Sequence, residues 1–219
     1  MKKNEVLQKD VQEAIKWEPL LDAAEIGVIA KDGVVTLAGV VDSYAKKWQA
    51  ENAAKSVSGV KVVITDIDVK FDESFGELDD NQIARDLIEA AKWNWQIPKE
   101  KIKATVEDGW VTLEGEVDWN YQREAAYEAA SYQYGVKGVT NNLTIKKTQD
   151  KVEKEAIERA FRRNLLLDDS NIGVKVSDNT VTLEGTVTSY FQMDLAEKIA
   201  WNARGVQNIK NQLRISYKM

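Results

Sequence analysis

The sequence predicts an α+β protein of three tandem αββαβ units, each a small mixed three-stranded sheet with two helices on one face. Three observations predict it. A ten-residue stretch recurs as DGVVTLAGVV (residues 32–41), DGWVTLEGEV (108–117) and DNTVTLEGTV (178–187), at offsets of 76 and 70 residues. The same offsets superpose Ile26, Ile102 and Ile172 upstream, and Gly59-Val60, Gly135-Val136 and Gly205-Val206 downstream, without a gap. Within each copy the apolar spacing changes from helical to strictly alternating and back, so the repeat is structural rather than compositional.

Each element follows from its pattern. A first helix is read from Leu7, Val11, Ala14 and Ile15, matched by Ile83, Leu87, Ala90 and Ala91, and by Ile157, Ala160 and Phe161, with Glu153 at the leading position of the third copy. Ile26, Val28 and Ala30 then alternate up to Asp32-Gly33, and Val35, Leu37, Gly39 and Val41 alternate beyond it, which predicts a hairpin with a two-residue type I′ turn. Asp108-Gly109 and Asp178-Asn179 offer the same turn chemistry. That turn pairs Ala30 with Val35, Val28 with Leu37 and Ile26 with Gly39, so every inward residue faces another. Gly39, Gly115 and Gly185 on the inward face predict a close helix backbone or a strand bend. Ser43 and Ser189 stand as N-caps of alanine-rich second helices, which Gly59, Gly135 and Gly205 end as C′ residues. A helix between the second and third strands permits them to pair in parallel. The boundaries are repeat 1 at 1–70, a linker at 71–79, repeat 2 at 80–146 and repeat 3 at 147–219. The connection that holds the acidic linker is six residues longer, by the two offsets, than the one that holds KKTQD before repeat 3, so repeats 2 and 3 are expected to couple more tightly.

Composition narrows the chemistry. The 219 residues are 43% hydrophobic and 30% charged, with a mean hydropathy of -0.44 and a net charge of -6. Zero Cys and zero His exclude disulfides, the usual zinc ligand sets and Ser-His-Asp or Cys-His nucleophiles. Acidic pairs such as Asp79-Asp80, Asp168-Asp169 and Glu114/Glu116 belong to no ligand or acid-base set that repeats, so the expectation is no enzyme, no metal and no cofactor. No stretch reaches the roughly 18 apolar residues of a membrane span, and the two starting lysines precede no apolar segment. The expected location is cytoplasmic as written, or periplasmic if the sequence is a processed form. The excess of acid disfavours phosphate-backbone binding, and Gly135-Val136-Lys137-Gly138, a G-x-x-G of the kind found in RNA-binding KH domains, occurs in one copy only. No nucleic-acid partner is expected.

The αββαβ unit, its V-T-L-x-G strand (residues 35–39, 111–115, 181–185) and its G-V exit resemble the BON domain, three times in fixed register. That resemblance implies a non-enzymatic module of bacterial osmotic-stress proteins, bound to phospholipid or membrane surface or to proteins. It brings no catalytic residue, and its shared residues are structural.

Candidate binding residues come from charge and aromatics. Repeat 3 is the least acidic copy, with Lys151, Lys154, Arg159, Arg162 and Arg163 on or beside its first helix. Repeat 2 concentrates aromatics, and Trp95, Trp110, Trp119 and Tyr121 are read as a lipid- or partner-binding set, whereas Trp93, aligned with Trp17, is read as core. Ile29, Val34, Val40 and Ile64 form an apolar outer sheet face in repeat 1, expected to pack on another repeat or a second chain. The partners are therefore membrane surface or phospholipid headgroups, with a protein partner or self-association as the alternative.

Overall fold

The computed structural model describes residues 3–71, 79–148, 150–167 and 171–216. Repeat 1 contains α1 (Asn4–Trp17), β1 (Ile26–Lys31), β2 (Val34–Val41), α2 (Tyr44–Ser56) and β3 (Val62–Val69). Repeat 2 contains α3 (Asp80–Trp93), β4 (Ile102–Glu107), β5 (Trp110–Val117), α4 (Asn120–Ser131) and β6 (Gly138–Ile145). Repeat 3 contains α5 (Lys154–Arg162), β7 (Asn171–Ser177), β8 (Thr180–Val187), α6 (Tyr190–Trp201) and β9 (Asn208–Ile215). Each sheet has its second strand in the centre, antiparallel to the first and parallel to the third. The hairpin register is the predicted one, with Ala30 opposite Val35, Val28 opposite Leu37 and Ile26 opposite Gly39.

Alternation sets the core. Val28, Val35, Leu37 and Ile67 are buried against Leu7, Val11 and Ile15 of α1 and against Ala50, Ala53 and Ala54 of α2, so both helices cover one sheet face. Small residues let α2 lie close on the strands. In repeat 3, Glu153 is exposed and precedes α5 as its N-cap residue, which makes that helix shorter than α1 and leaves Val152, Ile157 and Phe161 to fill the space. Buried core runs continuously through repeats 2 and 3, whereas that of repeat 1 is separate.

Several local expectations are corrected. The inward glycines accommodate the backbone at the start of the neighbouring strand rather than a helix: a Cβ at Gly39, Gly115 or Gly185 would stand 2.0, 2.1 or 1.9 Å from the carbonyl oxygen of Glu25, Lys101 or Asn171. Their φ angles of 155°, 138° and 121° also disfavour a side chain. Gly59, Gly135 and Gly205 lie beyond the C′ position, third in a turn closed by bonds such as Val60 N–H to the Val57 carbonyl (3.2 Å), where a positive φ is required. In the third hairpin Asp178 alone of the turn pair is at positive φ, and Asn179 donates its side-chain amide to the carbonyls of Asp150 (2.9 Å) and Gly205 (2.6 Å). Ser43 and Ser189 do cap α2 and α6, accepting from Lys46 N–H and Gln192 N–H. At the matching position Trp119 has no acceptor to offer, and Gln122 Oε1 instead takes the amides of Asp118 and Trp119.

Among the described residues, the outer face of repeat 1 packs on no other repeat. Ile29, Val40 and Ile64 are exposed and Val34 is half-buried, since the repeats meet through their second helices on the opposite side. Trp17 and Trp93 are corrected from core to surface: both are 87% exposed, because each is the last residue of its helix and lies off the buried stripe. No helix among the described residues is long and apolar enough to cross a membrane.

Candidate functional site: a ring of three repeats and its apolar tips

The second helices converge, with α2 packed on both α4 and α6. Trp48 on α2 meets Tyr127 and Tyr132 of repeat 2 edge-on, with ring centroids 6.4 and 6.5 Å apart, and Tyr44 Oη lies 3.1 Å from Tyr127 Oη. Arg123 on α4 places its guanidinium 4.6 Å from the centre of the Trp201 ring of repeat 3. Tyr190 on α6 donates its hydroxyl to the Lys61 carbonyl of repeat 1. The contacts run from repeat 1 to 2, from 2 to 3 and from 3 to 1. They use matched positions, Tyr44 and Tyr190 being equivalent and Trp48 falling one residue from the counterpart of Arg123. A head-to-tail contact whose rotation closes makes a ring, here within one chain.

A cavity of about 450 Å³ lies where the helices meet, bordered by Trp48 and Lys55 of repeat 1, Glu124 and Tyr127 of repeat 2, and Asp194 and Trp201 of repeat 3. Burial raises the Asp194 carboxyl above the ordinary range, against the opposing pull of Lys198 and Lys55. Burial, with the Tyr127 hydroxyl next, likewise holds the Tyr44 phenol well above its usual range.

Cyclic order puts equivalent segments of the repeats on one side of the ring, and the segments that follow the first helices each expose apolar side chains, though not at matched positions throughout: Trp17 and Trp93 correspond to Arg163. The loops after the first helices present Trp17 and Leu20 in repeat 1, Trp93 and Trp95 (84% exposed) in repeat 2, and Leu165 (89% exposed) and Leu166 in repeat 3. A cation closes each helix at the same position: Lys16, Lys92 and Arg162. All three are exposed, and Lys92 pairs with Glu89 on its own helix.

The predicted binding residues separate. Trp95 and Arg162 lie in this set, with Arg163 beside it, and Lys151, Lys154 and Arg159 are exposed on or just before α5, Lys154 pairing with Glu158 at 3.3 Å. Trp110 lies on the outer face of its own sheet, where its indole N–H donates to Thr140 Oγ1 (2.8 Å) and its ring occupies the space a Cβ on Gly138 would need. That contact gives Gly138 a packing role unrelated to a G-x-x-G loop. Trp119 and Tyr121 are exposed beside the start of α4. Sequence reading missed Trp48, Arg123, Tyr127 and Trp201; the signal available for the first three was their place on the second helices, outside the buried alanine face, whereas Trp201 is buried beside Ala200. Asp79 caps α3 through Gln82 N–H (2.7 Å), and Asp80 accepts the hairpin amides of Asp108 and Gly109 (2.9 and 2.8 Å), so this acid pair is structural. Asp168-Asp169 and most of the acidic linker lie outside the described residues. Among the described residues no three or more acidic side chains assemble as a metal site.

Fold and site define a ring of three αββαβ units whose shared surface features are apolar tips and cations. The sequence pattern of the BON domain matches residues 3–70, 79–147 and 149–217, and the chain belongs to the BON domain family. It is similar to osmotically-inducible protein Y of Escherichia coli (strain K12), 31% identical over 129 residues; the match spans 58% of this chain and 64%, just under two thirds, of that protein. Two structures of CdsD, a structural protein of the type III secretion system of Chlamydia trachomatis, align over 99% and 96% of this chain and 100% and 92% of theirs. Both are at 15% identity and a TM-score of 0.25, overlaps too loose to bear on fold or function.

Proposed function

We propose that this chain is a non-enzymatic, stress-associated membrane-surface binding protein, whose three BON units present their first-helix tips to one lipid surface. The observation that carries the reading is that each first helix ends on an exposed cation and is closed or followed within four residues by exposed Trp or Leu, in all three repeats. Tryptophan and leucine at an interface bury apolar area while Lys and Arg meet headgroup phosphates. Three weak sites on a rigid ring engage a plane together, so their affinities multiply. The osmotically inducible relative supports a role in osmotic stress.

Co-sedimentation of the full chain with neutral and with anionic vesicles, at low and at physiological salt, tests the reading. Binding to anionic vesicles that weakens with salt, with a blue shift of tryptophan fluorescence, is the expected result. Replacing Trp17, Trp93, Trp95 and Leu165 by Ser is expected to abolish capture while leaving the circular dichroism spectrum intact. Absence of binding under every condition would overturn it. A second reading, self-association or protein binding through Ile29, Val40, Val62 and Ile64, is favoured by the exposure of that apolar face; in it, association tolerates salt and is lost in Val40→Lys.

A further inference from the structure

The interior of repeat 2 is open where those of repeats 1 and 3 are filled. By the repeat offsets, Ala91 stands where α1 has Ile15 and α5 has Phe161, and Ala104 where β1 has Val28 and β7 has Val174. All four larger side chains are buried, whereas Ala104 is exposed although it lies opposite Leu113 on the inward face of its sheet. A cavity of about 360 Å³ takes their place between α3, β4, β5 and α4, with Leu87, Ile97, Leu113 and Ala130 as its buried floor.

The mouth differs in the same sense. Ala84 and Ile88 border the cavity on α3, at positions that hold Gln8 and Gln12 in repeat 1 and Lys154 and Glu158 in repeat 3. Ile88 is 58% exposed, an apolar side chain kept in water at the rim of an apolar hollow. Truncation inside and loss of polarity outside, in one repeat and around one opening, suit the entry of an apolar ligand. A packing gap alone would leave the rim as polar as in the other two repeats.

Size and charge define that ligand. Protein interiors leave few voids larger than a water molecule, and an apolar cavity of about 150 Å³ takes a six-carbon ring. In proportion this one holds roughly ten to fourteen carbons, too few for the two chains of a phospholipid. Its walls carry charge only as Lys92 and Lys99, both exposed. Lys92 pairs with Glu89. Lys99 donates to the Lys92 carbonyl (3.0 Å) and makes no ion pair among the described residues, so its ammonium keeps donors for an anion.

We propose that repeat 2 binds a free medium-chain fatty acid, with the alkyl chain in the cavity and the carboxylate at Lys99. The site lies within one repeat and does not rest on the membrane reading.

Calorimetric titration of the full chain with decanoate, below its micellar concentration, tests it. One equivalent is expected to bind. Hexanoate is expected to bind roughly a hundredfold more weakly, because four methylenes fewer are buried. Decyltrimethylammonium, with the same chain and the opposite charge, is expected to bind about tenfold more weakly. Ala91→Ile/Ala104→Val fills the cavity with the side chains of repeat 1 and is expected to abolish decanoate binding, with a melting temperature no lower than that of wild type. Ala84→Gln/Ile88→Gln gives the rim the residues of repeat 1 and is expected to weaken decanoate several-fold, and Lys99→Gln to remove the preference for the anionic head. No binding of decanoate by wild type, equal affinity for decanoate and either comparison ligand, or full affinity in the filled or the polar-rim variant would overturn the proposal. Vesicle capture separates this site from the first-helix tips, since the filled variant is expected to keep it. Loss of capture in that variant would assign the cavity to a chain of a membrane lipid and overturn the free acid.

Discussion

Repeats 1 and 2 share one backbone plan but not one interior. In repeat 1, Ile15 and Val28 are buried between helix and sheet, and in repeat 3 Phe161 and Val174 fill the equivalent space. Repeat 2 has Ala91 and Ala104 at these two positions, beside an apolar cavity of about 360 Å³ whose walls include Leu87, Ile97, Leu113 and Ala130. The comparison teaches that strand register and helix placement survive the loss of two core side chains, because alternation and turn chemistry fix them independently. Packing density beside them does not survive.

The largest effect is expected from Ile15→Ala, which carries the truncation of repeat 2 into repeat 1. It should destabilise by about 2–5 kcal/mol in chemical denaturation, with hydrogen exchange rising first in α1 and β1. An effect below that range would mean that repeat 1 relaxes around the gap as repeat 2 has done. Trp48→Ala removes the edge-on contacts to Tyr127 and Tyr132 and should cost roughly 2 kcal/mol, with repeat 1 unfolding apart from the continuous core of repeats 2 and 3. A single coincident transition in that variant would mean that Tyr44 and Tyr190 suffice to hold the ring. In the opposite direction, Ala91→Ile with Ala104→Val should fill repeat 2 and raise stability by about 1–2 kcal/mol, read as a higher melting temperature. No gain would show the interior of repeat 2 to be shaped for its small residues.

The smallest expected effect concerns pH. Burial raises the Asp194 carboxyl, so the folded state holds that proton more tightly than the unfolded chain. Its contribution to stability is therefore present at low pH and lost as pH rises through the folded pKa. Asp194→Asn should raise the melting temperature slightly at neutral pH, with the difference from wild type shrinking on acidification. A difference independent of pH would assign the effect to packing instead.

Most of the fold was legible because its signals are local and repeated. Alternation through residues 26–41, the Asp-Gly turns and the alanine faces of the second helices each recur in register, and a one-residue slip would turn every inward side chain outward. The candidate site was legible only in part. Trp95 and Arg162 were singled out by type, but Trp17 and Trp93 were misread because an aromatic at a helix end close to a buried stripe looks like its continuation until the chain turns away. Trp48, Arg123, Tyr127 and Trp201 were missed for a different reason: nothing in spacing says which side chain on an alanine-rich helix meets a neighbouring repeat. The glycines of the V-T-L-x-G strands were seen as structural, but what they approach, a carbonyl at the start of the neighbouring strand about 2 Å from a would-be Cβ, is a distance.

What the sequence alone determined is the unit: its element order, its hairpin register, its core face and its threefold recurrence, all set by contacts between residues close along the chain. Closure of three units into a ring and the side on which the apolar tips gather were decided by tertiary structure. These depend on pairs such as Tyr190 and Lys61, separated by 129 residues, whose meeting no local pattern encodes.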